Sequence, residues 1–270
     1  MVSDAELERL ACYVSVEQAD RVAVLRATDD FVHLALDLES KRAFLRLFDE
    51  LSASPDVGVV LLTSTPVCFS VERANHFWRH VLDHDDPASA IATPHASRGE
   101  ADLHREETGL QQLALRARDC PKAVVIAFRG EVVAAFLGLG LVADYRIVAD
   151  DTVFCNRNHA LGMPPGGALT YLLPAYIGFG RASELLLEGR DITADEALGL
   201  GLVNRVVPAG QLDAESMSVA RRFAALPGRA VATTKKLLSH ALHALGPHFE
   251  LETQQLKASV AHLGKDDLER

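Results

Sequence analysis

The sequence predicts an α/β domain built on a mainly parallel sheet and continued by a C-terminal helical region. Val57–Thr63 (VGVVLLT) and Lys122–Phe128 (KAVVIAF) are unbroken apolar, β-branched runs of strand length, the pattern of strands buried on both faces. Each lies beside a stretch with apolar residues at helical spacing, so strands and helices alternate as in βαβ units. From about Leu212 onward the pattern is helical, with few turn signals, and reads as two or three helices.

Taken in order, Arg21–Arg26 (RVAVLR) and Val32–Leu36 (VHLAL) flank an Ala-Thr-Asp-Asp turn signal and read as a hairpin. Leu38, Phe44, Leu45, Leu47, Phe48 and Leu51 fall at helical spacing over Leu38–Leu51, and Ser52–Pro55 stops that helix. Leu110–Arg118 reads as a helix before the second buried strand, Val132–Ala143 as an apolar helix after it, and Asp144–Ala149 as another strand. Asp83–Arg105 contains Pro87, Pro94, several aspartates and the histidines His84, His95 and His104, and reads as a polar loop or lid. Farther on, Thr193-Ala-Asp-Glu196 is a capping box that opens a short helix, and Gly201–Pro208 is a strand with a proline stop.

The 270 residues are 49% hydrophobic and 24% charged, which suits a large folded core and argues against disorder. A net charge of −10 repels phosphate backbones, so nucleic acid is not an expected partner. The cysteines Cys12, Cys68, Cys120 and Cys155 are scattered without CxxC spacing, the pattern of reduced thiols rather than of a disulfide framework or a zinc site. Val132–Ala143, the longest apolar stretch, falls short of the roughly 20 residues of a membrane span. The acidic N-terminus lacks the apolar run of a signal peptide. A cytoplasmic location without membrane association follows as the expectation.

Seven segments then line up, in order, with the enoyl-CoA hydratase/isomerase, or crotonase, family. They are Ser54–Thr63, Cys68-Phe69-Ser70, Pro121–Gly130, Ala143–Ala149, Leu161-Gly-Met-Pro-Pro-Gly-Gly167, Glu188–Ala197 and Gly201–Pro208. The resemblance covers about Arg21 to Pro208 and, more loosely, the helices beyond. It implies a crotonase-like spiral of ββα units over residues 1–208 and a C-terminal helical trimerisation region over residues 209–270, assembled as a homotrimer or hexamer. It also implies an acyl thioester whose carbonyl oxygen is held by two backbone N–H groups, which stabilise the charge of a developing enolate. The substrate would ride on CoA or on the phosphopantetheine of an acyl carrier protein, with no tightly bound cofactor.

Mapped onto the family pattern, the first N–H donor falls at Arg73, where a bulky residue in Glu72-Arg73 replaces the usual small pair. The second falls at Ala135, at the start of the apolar helix, where the helix dipole favours negative charge. The family's two catalytic glutamates fall at Gly138 and Asn158. Syn addition of water needs groups that position the water and move its proton, so hydration is disfavoured. Decarboxylation or isomerisation through an enolate is favoured instead.

The proton-donor candidates are Asn158, His159 and His76; in an extended segment Asn158 and His159 point oppositely. His240, His243 and His248 lie on the C-terminal helices, which in this family can reach the pocket, and no third ligand completes a metal site with the i,i+3 pair His240 and His243. Arg157, Lys235 and Lys236 are candidate phosphate contacts. Gly162–Pro174 with Ile177-Gly-Phe179 is similar to the branching decarboxylases of polyketide pathways, which points to specialised metabolism. A crotonase-fold C–C hydrolase and a non-catalytic acyl-carrier scaffold are the alternatives.

Overall fold

A computed structural model describes residues 2–35, 37–83, 98–156 and 162–260. The chain opens with helix α1 (Asp4–Leu10), strands β1 (Val14–Ala19) and β2 (Val22–Ala27), a 3-10 helix (Phe31–Ala35), helix α2 (Leu38–Ala53) and strand β3 (Val59–Ser64). Helices α3 (Val71–Asp83) and α4 (Arg98–Asp119) follow, then β4 (Ala123–Phe128), β5 (Glu131–Val133), α5 (Ala134–Val142), β6 (Tyr145–Ala149) and β7 (Val153–Cys155). The remainder is α6 (Leu169–Ile177), α7 (Phe179–Glu188), β8 (Ile192–Thr193), α8 (Ala194–Gly199), β9 (Arg205–Val207), α9 (Leu212–Ala224), α10 (Gly228–His240) and α11 (Leu245–Val260).

Among the described residues the main sheet runs β1-β2-β3-β4-β6-β9 and a smaller one β5-β7-β8. β1 meets β2 antiparallel; β2, β3, β4, β6 and β9 are parallel neighbours. The continuous apolar runs are explained by burial on both faces. Val60 and Leu62 of β3 and Val124, Ile126 and Phe128 of β4 enter the larger core. Val59, Leu61, Ala123, Val125 and Ala127 point the other way, under Val219, Ala220 and Ala224 of α9. Period-two alternation therefore holds although both sets are apolar.

The N-terminal hairpin is not the one expected. β2 pairs with β1 through a tight turn at Asp20 and Arg21, whose φ values of 50° and 63° are those of a type I′ hairpin turn. β1 is an edge strand exposed over most of its length, so its polar sequence carried no strand signal. Residues 32–35 of the expected second strand form part of the 3-10 helix instead, and its buried Val32 and Leu34 mimic strand alternation. The segment expected as a loop or lid is helical from Arg98, where α4 begins. Residues 98–107 are dominated by helix formers, whereas Pro87, Pro94, His84 and His95 lie outside the described residues. At α8, Thr193 Oγ1 accepts from Glu196 N, but the Glu196 carboxylate turns to Arg190 instead of closing the box.

Helix α5 is pinned at its far end by buried Arg146. Its guanidinium donates to Leu202 O, Gly140 O and Ala143 O at 2.7, 3.2 and 2.7 Å, a cation on helix C-terminal carbonyls. Burial pushes the Arg146 pKa down from its ordinary value.

Candidate active site

Two helix N-termini converge beside the sheet. The chain leaves β3, turns at Thr65–Ser70 and enters α3; Ser70 N donates to Val67 O at 3.1 Å. Phe69 O accepts from Val133 N at 2.8 Å, and the Phe69 ring lies 4.2 Å from that of Phe136. Glu131 Oε2 accepts from Val71 N at 3.3 Å. These contacts fasten the start of α3 to the start of α5. Gly130 makes the approach feasible: its φ is 62°, and a Cβ there would sit 2.6 Å from Pro66 O.

The convergence walls a cavity of about 110 Å³. Val71, Ala74 and Asn75 of α3 line it, with Ala135 and Phe136 of α5, Cys155, Met163, Gly166, Gly167 and, from α11, Glu252. Most of this lining is apolar, which strengthens any electrostatic contact made inside. Ala135 holds the second position of α5, in the first turn, where amides have no intrahelical acceptor. It is the one expected amide donor among the cavity's lining residues.

Arg73 occupies the first turn of α3, but its N–H faces Ser70 Oγ at 3.3 Å. Its guanidinium reaches Asp29 and Asp30, 3.6 Å from each. His76 is exposed and pairs with His33, Nδ1 to Nε2 at 3.1 Å, while its neighbour Asn75 lines the cavity. Asn158, His159 and Arg157 lie outside the described residues. Lys235 is buried on Asp144 Oδ2 at 2.5 Å and Lys122 O at 2.8 Å, so it is taken up by the fold and not by a phosphate. Lys236 is exposed. His240 and His243 stack 6.0 Å apart in a separate cleft with Arg118 and Lys236. Among the described residues no group of three His, Cys, Asp or Glu is placed to hold a metal ion. Nor is any helix there long and apolar enough to cross a membrane.

Gly138 carries the most informative geometry. A Cβ built on it would lie 1.8 Å from Gly167 O and 2.7 Å from Gly167 C. Gly167 itself has φ 71°, and its own Cβ would be 2.2 Å from Ala135 O. The segment before α6 thus lies flush on α5, and the glutamate's expected place has no room for any side chain.

Glu252 is the functional candidate that the sequence reading missed. It is buried at 7% exposure, and its Oε2 accepts from Ala168 N at 2.8 Å. One turn earlier, His248 Nε2 lies 3.9 Å from Glu252 Oε2 and 2.9 Å from Thr170 Oγ1, with its ring 5.3 Å from that of Tyr171. Burial lowers the His248 pKa from its ordinary value. A signal did exist: Leu245, Phe249, Glu252 and Leu256 fall at i, i+4, i+7 and i+11, which puts a carboxylate on the apolar stripe of α11.

The parallel sheet is wrapped by helices and carries an apolar cavity lined by a residue in the first turn of α5. Residues 94–265 match the family model described as Enoyl-CoA hydratase/isomerase. A Mycobacterium bovis protein named "Probable enoyl-CoA hydratase echA12" is 34% identical over 75% of this chain and 69% of its own. The 4-chlorobenzoyl coenzyme A dehalogenase-2 of Arthrobacter sp is 27% identical over 93% of this chain and 86% of its own. The crystal structure of enoyl-CoA hydratase from Bacillus halodurans superposes with a TM-score of 0.75 at 23% identity, over 95% of this chain and 99% of the other. The chain belongs to the enoyl-CoA hydratase/isomerase family and has the crotonase fold.

Proposed function

We propose that this chain binds an acyl thioester, carried on CoA or on a phosphopantetheine arm, with its carbonyl oxygen at the Ala135 amide. It then catalyses a reaction through the enolate, isomerisation or decarboxylation ahead of hydration. The closed position at Gly138 carries this reading. Hydration needs one group to hold the attacking water and another to move its proton, and the helix that would offer the first of these is blocked by Gly167. Enolate formation needs less: a fixed donor at the oxygen, an apolar surrounding and one route for a proton. The relatives' names point to CoA thioesters as the substrate class.

Within this reading the second donor is the Arg73 amide. Its bond to Ser70 Oγ, 3.3 Å long, is at the weak end of the range, so a negatively charged oxygen would outcompete the hydroxyl. Salt bridges to Asp29 and Asp30 draw the Arg73 side chain off the cavity, which supports access to its backbone.

Replacing Ala135 with proline tests the assignment, because proline deletes the N–H while the first helical turn tolerates its ring. Loss of about 10²–10³-fold in turnover is expected, read by mass spectrometry of acyl thioesters on CoA and on a carrier protein, with circular dichroism to check the fold. Loss of one CO₂ marks decarboxylation; an isobaric product with a shifted double bond marks isomerisation. Full activity in a folded Ala135→Pro variant would remove the oxyanion assignment, and gain of one water as the main product would remove the preference against hydration.

A further inference from the structure

We propose that Glu252, on the C-terminal helix, is the proton-transfer residue of the cavity and replaces the carboxylate for which α5 has no room. This rests on the enolate reading above and adds the group that reading lacks. Ala135 and Glu252 line the same cavity, and one short turn holds both. Gly167 presses on the Ala135 backbone, and the next residue, Ala168, donates its N–H to Glu252 Oε2 at 2.8 Å. Both turn residues have positive φ, 71° at Gly167 and 57° at Ala168. For alanine that is an uncommon and strained backbone, of the sort that accumulates at working sites.

The other polar side chains of the lining do not replace it. Asn75 and Gln111 carry no titratable proton, and the Cys155 thiol, a weak donor, is turned to the Val153 carbonyl at 3.7 Å. Among the described lining residues Glu252 is the carboxylate, and it is buried where an unneeded charge is costly. A plain latch between α11 and the turn could use a neutral acceptor at far lower desolvation cost.

A single carboxylate suits a 1,3-proton shift. The Glu252 carboxylate takes the proton from Cα of a β,γ-unsaturated acyl thioester. The C–H electron pair becomes the new Cα–carbonyl π bond, and the carbonyl pair moves to the oxygen held at Ala135 N–H. The resulting carboxylic acid returns the proton to the γ-carbon, the carbonyl re-forms, and the double bond ends conjugated with it. Atoms and charge balance without a co-reactant, and the carboxylate is regenerated.

The test uses the full chain with but-3-enoyl-CoA and hex-3-enoyl-CoA in D₂O, following double-bond position and deuterium incorporation by NMR. Glu252→Gln keeps an oxygen acceptor for Ala168 N and removes the base. A loss of at least about 10²-fold in both readouts is expected, with butyryl-CoA affinity within about threefold of wild type and Glu252→Asp partly active. Where the glutamine variant does not fold, Glu252→Ala with added formate serves, and saturable restoration of exchange is expected. Exchange in Glu252→Gln equal to wild type, or a folded Glu252→Ala that formate does not restore, overturns the Glu252 assignment while leaving Ala135 in place. Absence of exchange and of isomerisation in wild type on both thioesters overturns the enolate reading and the Glu252 role with it.

Discussion

Gly138→Ala isolates the packing that closes α5 to a side chain. Two effects of opposite sign compete. Alanine is the better helix former by about 1 kcal/mol in a helix interior, so intrinsic propensity alone predicts stabilisation. Against it, the new methyl would lie 1.8 Å from Gly167 O, and ordinary contact begins near 3.4 Å. The Gly167 carbonyl must retreat by about 1.6 Å, and it belongs to a turn fixed at Ala135 and Glu252. The obstacle is backbone, so the strain falls at or above the top of the overpacking range, about 3 kcal/mol. The net expectation is destabilisation by about 2 kcal/mol or more, a drop of about 4–8 °C in midpoint for a chain of this size. Gly180→Ala in α7 is the control, since a Cβ there meets nothing within 4 Å and should be neutral or stabilising by about 0.5 kcal/mol. Thermal unfolding followed by circular dichroism reads both. If Gly138→Ala proves as stable as Gly180→Ala, the close approach of Gly167 to α5 is wrong, and so is the case against a glutamate at that position.

The remaining expectations concern α11 and assembly. His248 has its pKa lowered by burial, from an ordinary value of 6.5, although Glu252 Oε2 lies 3.9 Å away. The folded state therefore prefers the neutral ring; its stabilising share is complete above the unfolded pKa and is lost as pH falls through the lower folded value. The urea midpoint should fall more between about pH 7 and pH 5 in wild type than in His248→Gln, and parallel curves would refute this. Phe179 and Leu187 on α7 and Leu237 and Leu238 on α10 are 77%, 72%, 73% and 65% exposed, apolar side chains that a subunit interface would cover. Sedimentation should give a trimer or hexamer, and Leu237→Glu with Leu238→Glu should shift it toward smaller species. A monomeric wild type would refute the expected assembly.

How much was legible in the sequence depends on what set each feature. β3 and β4 could be read because both of their faces are buried, which leaves only apolar residues to choose from. β1 could not, since an edge strand with one buried residue looks like any polar segment, and its Asp20-Arg21 turn lacks the glycine that usually announces a type I′ hairpin. The Ala135 position was legible through flanking motifs that fix where α5 begins. The blocked site at Gly138 was legible only as a missing carboxylate; that no side chain fits depends on Gly167, 29 residues away in sequence. Glu252 was hidden differently: glutamates on helices are usually solvated, and only the apolar stripe around it distinguishes this one.

A base on α11 in place of one on α5, as proposed for Glu252, changes what the site's alignment depends on. The Ala135 amide belongs to the core, held by the Val133–Phe69 bond and, through Arg146, by the far end of its helix. Glu252 belongs to a helix seated by Leu245, Phe249 and Leu256 and joined to the core turn through Ala168 N. Oxyanion donor and base then sit on separate elements whose relation is set by the Ala168–Glu252, Thr170–His248 and Gln111–Thr253 hydrogen bonds and one apolar seam. A hydratase-like arrangement, with both groups on the core, would keep its geometry when the C-terminal helix shifts. Here a displacement of the order of 1 Å in α11 would spoil the proton path while leaving the carbonyl held, so the placement of the C-terminal helix governs turnover separately from binding.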